Sequence, residues 1–464
     1  MLRTGWQNEV MSDADSSDDR RARPSSPDRS RRNGLARSAL GRGARLMSIP
    51  LGVAGRTTAG LGRRLGGASR RELDEEMRRR TAQQLFTVLG ELKGGAMKLG
   101  QALSMFEAVL PEDVAEPYRV HLRRLQDSAP PMPASRVHAV LRRELGPQWR
   151  ARFRSFDNRP AASASIGQVH RAVWEDGREV AVKVQYPGAD EALRSDLRQL
   201  GRVAALVAPL LPGMDVRALA AELEARVSEE VDYELEAEHQ QQAAEGFAGD
   251  PEFLVPAVLA HTATVMVSEW VDGPPLSAVA DWPEAERNEA ALRYVRFLFA
   301  GPSRVGLLHA DPHPGNFKVL DDGRLGVIDF GLVARLPHGL PTDMGRLLRL
   351  CADSDADAVA AGLRELGFVR GEVDPGELYD YLAPFVEPAR VEEFHFTRDW
   401  MRAQFARVSS AQTSEVARRL NLPASYLLIH RVWMGGIAVL SQLDASERFG
   451  DVLEEFLPGW SAGA

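Results

Sequence analysis

The amino-acid sequence predicts an α+β fold of two lobes, a smaller one built on a β-sheet and a larger helical one, preceded by a helical N-terminal extension. Short alternating runs such as EVAVKVQ concentrate in residues 153–185 and predict the strands of the smaller lobe. From about residue 341 onward, helical patterns dominate and predict the larger lobe. A chain of 464 residues with 44% hydrophobic content has enough apolar material for both lobes and the extension.

The chain divides into five predicted regions. Residues 1–45 are rich in Arg, Ser, Asp and Pro and poor in large apolar residues, so we expect a disordered basic tail. Residues 46–71 alternate small and apolar residues with arginine, which fits either a flexible linker or a segment that contacts an anionic membrane. We expect the helical extension at residues 72–150, the N-lobe at residues 151–272 and the C-lobe at residues 273–464.

Each predicted element follows from its local periodicity and from the Gly, Pro and Asp residues that bound it. The extension is expected to contain helices at 72–108, 111–126 and 134–146. The N-lobe is expected to contain strands at 153–161, 166–174, 179–185, 255–259 and 264–270, and helical stretches at 189–210 and 215–246. In the C-lobe, we expect a hairpin of 317–320 and 324–328 around an Asp-Asp-Gly turn, and helix breaks at 371–376 and 384–388.

Two motifs in the C-lobe carry the strongest chemical signal, HADPHPGN and, shortly afterwards, IDFG. Phosphoryl transfer requires positioned groups, and the divalent cations that bridge phosphates need hard oxygen ligands on rigid loops. Asn316 and Asp329 are the predicted metal ligands, while Asp311 is placed to orient an acceptor hydroxyl or water and to accept its proton. His309 and His313 flank Asp311, but without a third soft ligand nearby we expect His309 to bind the loop backbone rather than zinc.

Lys183 emerges from the apolar strand EVAVKVQ and resembles the strand lysine that contacts the nucleotide phosphates in kinases. Such an ammonium group needs a carboxylate partner, because an isolated buried charge is costly. Carboxylates are available on the helical run SEEVDYELEAE, among them Glu229, Glu230, Asp232 and Glu234. Taken alone, Lys183 fits an exposed strand lysine and the acidic run fits a solvated helix face, but ahead of HADPHPGN they complete a site.

The run PAASASIGQVH lies between the first two strands of the N-lobe, where a phosphate-binding loop is expected. Alanine and serine replace the glycines except at Gly167, so the backbone approaches a phosphate less closely, although the serine hydroxyls offer compensating donors. Residues 269–271 are the predicted hinge, whose backbone faces the nucleotide base. The candidate nucleotide contacts are therefore Ala162, Ser163, Ala164, Ser165, Lys183, Glu269 and Val271.

One further segment, KLGQ, places Lys98 and Gln101 on one face of a predicted helix. In chain order, KLGQ, the Ala-rich loop ending in SIGQVH, VAVKVQYPG, an ExD helix, HADPHPGN and DFG resemble the UbiB/AarF family of atypical protein-kinase-like proteins. The resemblance runs from about Leu85 to at least Arg335. It implies a two-lobed protein-kinase-like fold, with Lys98 and Gln101 in an extension across the cleft where a protein kinase binds its peptide substrate. Protein phosphorylation is therefore less expected.

The resemblance also implies roles for the other motifs. Glu230 and Asp232 match the ExD motif, with Glu230 as the partner of Lys183 and Asp232 as a polar contact of the extension. The implied catalytic set is Asp311, Lys183 and Glu230, and the implied cofactors are ATP and Mg²⁺. Family members are associated with ATP binding, slow ATPase activity and support of isoprenoid-quinone or other lipid pathways at membranes. Ser163 and His239 depart from the family's usual Ala and Asn, so we expect altered control of the nucleotide pocket.

Three classes of function remain open. The first is an ATP-dependent phosphotransferase or ATPase that acts on, or is driven by, a lipid-like partner such as an isoprenoid-quinone precursor. The second is a small-molecule phosphotransferase of the aminoglycoside or choline type, which usually lacks both DFG and KxGQ. The third is a non-catalytic nucleotide-binding scaffold or regulator of a biosynthetic complex. The sequence specifies neither the acceptor nor the oligomeric state.

Composition limits the setting of the protein. The net charge of −8 argues against general nucleic-acid binding, and the single cysteine, Cys351, suits a reducing compartment. No apolar core follows the first positive charges, so no secretory signal is predicted. The apolar run Tyr426 to Leu443 contains His430 and Arg431, which predicts a buried C-lobe helix rather than a membrane span. We expect a cytoplasmic protein whose membrane contact, if any, is peripheral at the inner face.

Overall fold

The computed structural model describes residues 131–164, 166–189, 232–408, 416, 419–421 and 423–461. The predicted tail, the segment 46–71, the helices predicted at 72–108 and 111–126, and nearly all of the stretch predicted at 189–210 lie outside these residues. Within them, a sheet-based lobe precedes a mainly helical one, so the predicted α+β class is confirmed.

The smaller lobe is built on an antiparallel sheet with a helix on each face. Up to the hinge, the elements are α1 (Ala134–Glu144), β1 (Phe153–Phe156), β2 (Ala162–Ala164), β3 (Gly167–Trp174), β4 (Glu179–Gln185), α2 (Tyr233–Gly246), β5 (Phe253–Leu254), β6 (Val258–Thr262) and β7 (Val265–Glu269). The sheet order is β1-β3-β4-β7-β6, and β2 also pairs with β3. The strand β5 belongs instead to a sheet of the larger lobe.

The alternation in β4 decides which side chains enter the core and which enter the cleft. Val180, Val182 and Val184 are fully buried and pack in one cluster with Leu141 of α1. Because successive strand residues point to opposite faces, Lys183 projects to the other side, where α2 lies. The EVAVKVQ pattern thus positions the lysine as predicted.

Two strands depart from their predicted bounds, and a proline explains each difference. The strand expected at 153–161 ends at Phe156 as β1, and a turn that contains Pro160, which has no amide hydrogen for the ladder, separates it from the unpredicted short strand β2. The strand expected at 255–259 lies at 258–262. Pro256 has no amide hydrogen to donate, and its carbonyl accepts a hydrogen bond from the Gln240 side chain at 2.8 Å.

The larger lobe surrounds the long helix α3. Its elements are α3 (Glu284–Val305), β8 (Leu307–His309), β9 (Phe317–Val319), β10 (Leu325–Val327), β11 (Val333–Arg335), α4 (Thr342–Ala352), α5 (Ala356–Glu365), α6 (Pro375–Arg390), β12 (Phe394–His395), α7 (Arg398–Val408), α8 (Leu427–Leu443), β13 (Ser446–Glu447) and α9 (Phe449–Phe456). The predicted hairpin is confirmed as β9 and β10, and β8 pairs with β11. These short pairs deliver the two chemical motifs to one end of the lobe.

The apolar C-terminal run forms α8, whose residues Leu428, Val432 and Val439 lie in the core of the larger lobe. The prediction of a buried C-lobe helix is therefore confirmed. In the part of the chain that the structure describes, no helix is both long and apolar enough to cross a membrane.

The helix break predicted at 384–388 is wrong, because α6 runs without interruption through Pro384 and Pro388. Pro384 removes the amide that would bind the carbonyl of Asp380. That carbonyl instead accepts a hydrogen bond from the guanidinium of Arg407 in α7 at 3.0 Å. Both prolines are buried, so tertiary packing outweighs their local preference.

Candidate functional site

The loop after β8 places Asp311 and Asn316 side by side. The amide nitrogen of Asn316 donates to the backbone carbonyl of Asp311 at 3.2 Å and to its carboxylate Oδ2 at 3.0 Å. Both residues are buried. The hydroxyl of Tyr294 in α3 fixes the loop by donating to the carbonyl of Pro312 at 2.7 Å. With its nitrogen committed to Asp311, the amide of Asn316 has its oxygen as the atom suited to a cation.

Asp329 follows β10, and a backbone hydrogen bond ties its motif to the first one. The amide of Ile328 donates to the carbonyl of Asn316 at 3.0 Å. The Oδ1 atom of Asp329 accepts from the amide of Gly331 at 2.9 Å, and the side chain is 35% exposed. Asp329 is therefore oriented by its own loop while its carboxylate remains open to the cleft between the lobes.

His309 contacts the backbone of the loop after β10. Its Nε2 forms a hydrogen bond with the backbone carbonyl of Asp329, which confirms the expected backbone contact. Burial lowers the pKa of His309, although the nearby charges of Asp311 and Asp329 act in the opposite direction. The ring is therefore neutral near pH 7, and Nε2 carries the hydrogen that it donates.

Lys183 of the smaller lobe completes the site from the opposite side of the cleft. Its ammonium donates to both carboxylate oxygens of Glu236, at 2.6 Å and 2.8 Å, and lies 3.8 Å from Oδ2 of Asp329. Burial acts to lower the pKa of Lys183, but the carboxylates of Asp329 and Glu236 outweigh it and raise this pKa above its ordinary value. The ammonium is thus charged and shared between a helix carboxylate and a predicted metal ligand.

The structure pairs Lys183 with Glu236, whereas we predicted Glu230 as its partner. Asp232 accepts hydrogen bonds from the amides of Glu234 and Leu235, so it caps α2 at its first turn. Glu236 then lies one turn into the helix with its side chain 1% exposed, facing β4. Glu230 itself lies outside the described residues.

The donor set fits a cation held partly by a nucleotide. Within the described ranges, no three His, Cys, Asp or Glu side chains cluster as a metal site of their own. Mg²⁺ is usually held by one or two carboxylates together with substrate phosphates and water. The amide oxygen of Asn316 and the carboxylate of Asp329 are oxygen donors of that kind, so these two residues suit Mg²⁺ and do not suit a zinc centre.

The predicted phosphate loop is a tight hairpin in which Ala164 of β2 pairs with Gly167 of β3. A Cβ atom on Gly167 would lie 2.4 Å from the carbonyl oxygen of Val184 and 2.9 Å from the hydroxyl of Tyr233. Glycine is required here by close packing against β4 and α2. Ala162 and Ser163 are exposed on β2, whereas Ser165 lies outside the described residues.

The predicted hinge follows β7. The carboxylate of Glu269 accepts from Arg178 at 3.0 Å and from the amide of Ala257 at 3.2 Å, so its side chain belongs to the sheet and a nucleotide contact would involve its backbone. Val271 is buried and packs against Gly326 of β10. Of the two departures from the family pattern, His239 is buried on α2 and accepts a hydrogen bond from Arg335 at 3.3 Å.

Besides Glu236, sequence reasoning missed Arg431, which it treated only as an interruption of an apolar run. Its Nη2 donates to Oδ1 of Asp311 at 3.2 Å, and its Nε donates to the carbonyl of Ala310 at 2.9 Å. The one available signal was a charged residue inside an otherwise apolar helix. The predicted extension residues Lys98 and Gln101 lie outside the described residues.

A family model described as the ABC1 atypical kinase-like domain matches residues 124–363. The chain is 29% identical over 357 residues to the atypical kinase coq-8, mitochondrial, of Caenorhabditis elegans, with 74% of this chain and 47% of that protein covered. It is 32% identical over 370 residues to the uncharacterized protein slr0889 of Synechocystis sp., with 75% of this chain and 88% of that protein covered.

A solved structure extends the comparison to three dimensions. The chain resembles the structure of the Rv3197–erythromycin complex from Mycobacterium tuberculosis with a TM-score of 0.65 and 44% identity. The alignment covers 84% of this chain and 99% of that one. Some curated relatives are longer, and the chain spans about half of the C. elegans coq-8 protein and of COQ8B from Danio rerio, at 47% and 46%.

Proposed function

The chain belongs to the ABC1 atypical kinase-like family, as the UbiB/AarF resemblance of its motifs led us to expect, and from this premise we propose that it is an Mg-ATP-dependent ATPase or phosphotransferase. The two-lobed kinase-like fold is shared with the related structure. The pathway that we propose, from the family resemblance, is isoprenoid-quinone or other lipid metabolism. The phosphoryl acceptor is not specified by the site.

A single observation carries this proposal. The Lys183–Glu236 pair of the smaller lobe lies 3.8 Å from Asp329 of the larger lobe, while Asn316 and Asp311 sit on the adjacent loop. Bound ATP and Mg²⁺ would supply the transferable phosphoryl group and the charge neutralisation that phosphoryl transfer needs. In this arrangement Lys183 would bind phosphate oxygens, Asn316 and Asp329 would hold the cation, and Asp311 would orient the attacking hydroxyl or water.

The remaining nucleotide and regulatory contacts are proposed from position. Residues 162–165 would cover the phosphates, and the backbone of Glu269 and Val271 would face the adenine. Lys98 and Gln101 would belong to an extension across the cleft, with Asp232 as its polar contact. An extension there would favour a small or lipid-like acceptor over a peptide.

A second candidate function is phosphorylation of, or binding to, a bulky small molecule. A protein 44% identical to this chain has been solved in complex with erythromycin, which favours a small-molecule phosphotransferase more than the motifs alone do. A non-catalytic nucleotide-binding scaffold is the third candidate. The three candidates differ in what happens to ATP, so measurements of turnover, of Mg-ATP binding and of phosphoryl transfer to erythromycin can separate them.

The test is nucleotide turnover and Mg-ATP binding in matched variants. Asp311→Asn should abolish turnover and spare binding, because the carboxylate acts on the attacking group and not on the nucleotide. Asp329→Asn should reduce the rise in melting temperature on adding Mg-ATP, because a ligand that binds the folded state more weakly stabilises it less. Asp322→Asn is the control, since Asp322 pairs with Arg324 in an exposed turn of the same hairpin.

The outcomes distinguish the candidates. Turnover by the parent that disappears in Asp311→Asn, with the control unchanged, supports the ATPase or phosphotransferase. If erythromycin raises turnover and is itself phosphorylated during the reaction, the small-molecule phosphotransferase is favoured. A melting-temperature shift on adding Mg-ATP without any turnover would favour the scaffold. The absence of both would show that the protein neither binds nor hydrolyses Mg-ATP.

A further inference from the structure

Arg431 of the C-terminal helix α8 contacts Asp311, the candidate general base, although 120 residues separate the two in sequence. Two nitrogens of its guanidinium donate to adjacent groups, because Nε donates to the carbonyl of Ala310 and Nη2 donates to Oδ1 of Asp311. The contact is therefore made to the backbone and the side chain of the same loop. A planar guanidinium held at two points has a fixed orientation.

The position of Arg431 is not explained by the attachment of α8. The helix is already held by apolar side chains, among them Leu428, Ile429 and Val432, all buried in the core of the larger lobe. The Arg431 side chain is 37% exposed, whereas that of Asp311 is only 7% exposed. Solvent at the partly exposed guanidinium screens this ion pair, so it holds the helix less strongly than the buried apolar side chains do. The contact is therefore better explained by what it does to Asp311 than by what it does for the helix.

The two oxygens of Asp311 have separate donors. Asn316 donates to Oδ2 and Arg431 donates to Oδ1, so the plane of the carboxylate is defined from both sides. In the kinase motif HRD, an arginine immediately precedes the aspartate. Here Ala310 occupies that place, and the guanidinium that reaches the loop comes from α8. A helix distant in sequence thus supplies the charge that the loop itself lacks at this place.

We propose that Arg431 is a positioning residue that orients the carboxylate of Asp311 toward the attacking group in the proposed phosphoryl transfer. This inference rests on the proposed function. Small errors in the placement of a catalytic group can reduce rates by about 100-fold without a change in the groups that bind substrate. Loss of Arg431 should therefore affect the rate of turnover and not the affinity for Mg-ATP.

The experiment compares Arg431→Gln and Arg431→Lys with the matched control Arg293→Gln. Arg293 makes the same kind of paired contact, to the carbonyl of Gly323 at 2.8 Å and to the carboxylate of Glu289 at 2.6 Å, away from Asp311. Turnover at saturating Mg-ATP, the dissociation constant for Mg-ATP and the melting temperature are measured for each protein. All measurements use the full chain.

In Arg431→Gln, turnover should fall by about 10- to 100-fold, with the dissociation constant for Mg-ATP unchanged within about twofold. In Arg431→Lys, only part of the rate should return, because one ammonium cannot reproduce the two-point guanidinium contact. The control should keep the turnover of the parent even if its melting temperature falls by as much as that of Arg431→Gln.

Three results would overturn the inference while leaving the proposed function intact. One is equal turnover in Arg431→Gln and the control, and another is full turnover in Arg431→Lys. The third is a rise in the Mg-ATP dissociation constant as large as the loss in turnover, because Arg431 would then bind the nucleotide. A parent protein without turnover would instead overturn both this inference and the proposed function.

Discussion

At the scale of single residues, the Lys183–Glu236 pair decides how the site is held. Glu236 is almost completely buried, with 1% of its side chain exposed, and the ammonium of Lys183 lies 4.9 Å from the centre of the Tyr233 ring. Such a pair contributes little net stability, because desolvation of two charges offsets their attraction. Its value is in placing a charged ammonium beside Asp329, where phosphate oxygens would be bound.

Replacing Glu236 should therefore cost both stability and turnover. In Glu236→Gln the buried ammonium loses its main compensating charge, so the free energy of unfolding should fall by about 3–5 kcal/mol, less whatever Asp329 compensates. The double variant Lys183→Met/Glu236→Leu should recover much of the stability and none of the turnover. Denaturant unfolding and an ATPase assay check these outcomes.

The control for this prediction is Glu234→Gln, in the first turn of the same helix, where the side chain is exposed. It should leave both quantities near those of the parent. Turnover in Glu236→Gln equal to that of the parent would show that the pair is only structural. Glu230→Gln provides a direct comparison with the residue that the ExD resemblance had suggested.

At the scale of elements, local sequence patterns correctly predicted the features that depend on neighbouring residues, such as strand alternation and hairpin turns. The two-residue alternation of EVAVKVQ fixed the buried valines and the exit of Lys183, and the Asp-Asp-Gly turn fixed the β9–β10 hairpin. The choice between Glu230 and Glu236 depended on where α2 begins and which turn faces β4, and the acidic run alone does not specify either. Arg431 was beyond sequence reasoning because its contact spans 120 residues.

Prolines show the same division between local and tertiary control. Pro160 and Pro256 lie outside the strands because proline has no amide hydrogen to donate to a neighbouring strand. Pro384 does not interrupt α6, because Arg407 from another helix binds the carbonyl that the proline leaves without its helical donor. The sequence of α6 does not indicate the contact with Arg407, so the helix break predicted from its prolines could not be corrected from the sequence.

The strand β3 contains a buried histidine that makes stability depend on pH. His170 is fully buried, its Nδ1 donates to the carbonyl of Asp157 at 2.8 Å, and its Nε2 accepts from the amide of Gln168 at 2.8 Å. Burial lowers the pKa of His170, and the hydrogen bond to Asp157 offsets this only in part. A proton on Nε2 would face the Gln168 amide, which is itself a donor.

The sign of the effect follows from the lowered pKa. The unfolded chain binds a proton at His170 more readily than the folded one, so its stabilising contribution is complete above the unfolded pKa of about 6.5 and is lost as pH falls below it. The urea midpoint of the parent should therefore decrease between pH 7.5 and pH 5.5. In His170→Gln the decrease should be shallower, by at most about 1.4 kcal/mol per pH unit.

His309 is also buried with a lowered pKa, so His170→Gln should retain part of the dependence. The slope of stability against pH is the informative quantity, because Gln can lower stability at every pH. Identical slopes in the parent and the variant would show that His170 is not a source of the pH dependence.

At the scale of the whole molecule, α2 joins the two lobes. Its first half carries Glu236 toward β4, whereas Ala243 and the following Phe247 belong to the core of the larger lobe. The side chain of Gln242 donates to the carbonyl of Val305 at the end of α3 at 2.7 Å. The strand β5, which precedes the last strands of the smaller lobe, pairs in parallel with β10 of the larger one. The element that positions Lys183 is therefore anchored in the lobe that carries Asp311 and Asp329.

This shared anchoring predicts that the two lobes unfold together. Phe247 packs its ring against Phe253 and Phe297, with centroids 5.6 Å and 5.3 Å away, so Phe247→Ala should cost about 3–5 kcal/mol. Hydrogen exchange in increasing denaturant should then report the same lowered midpoint for amides of β3 and β4 as for amides of α8. Val391→Ala, at a side chain that is 43% exposed, should leave both midpoints unchanged. If the sheet keeps the midpoint of the parent while α8 unfolds earlier, the lobes are independent, and the Lys183–Glu236 geometry would be set by the smaller lobe alone.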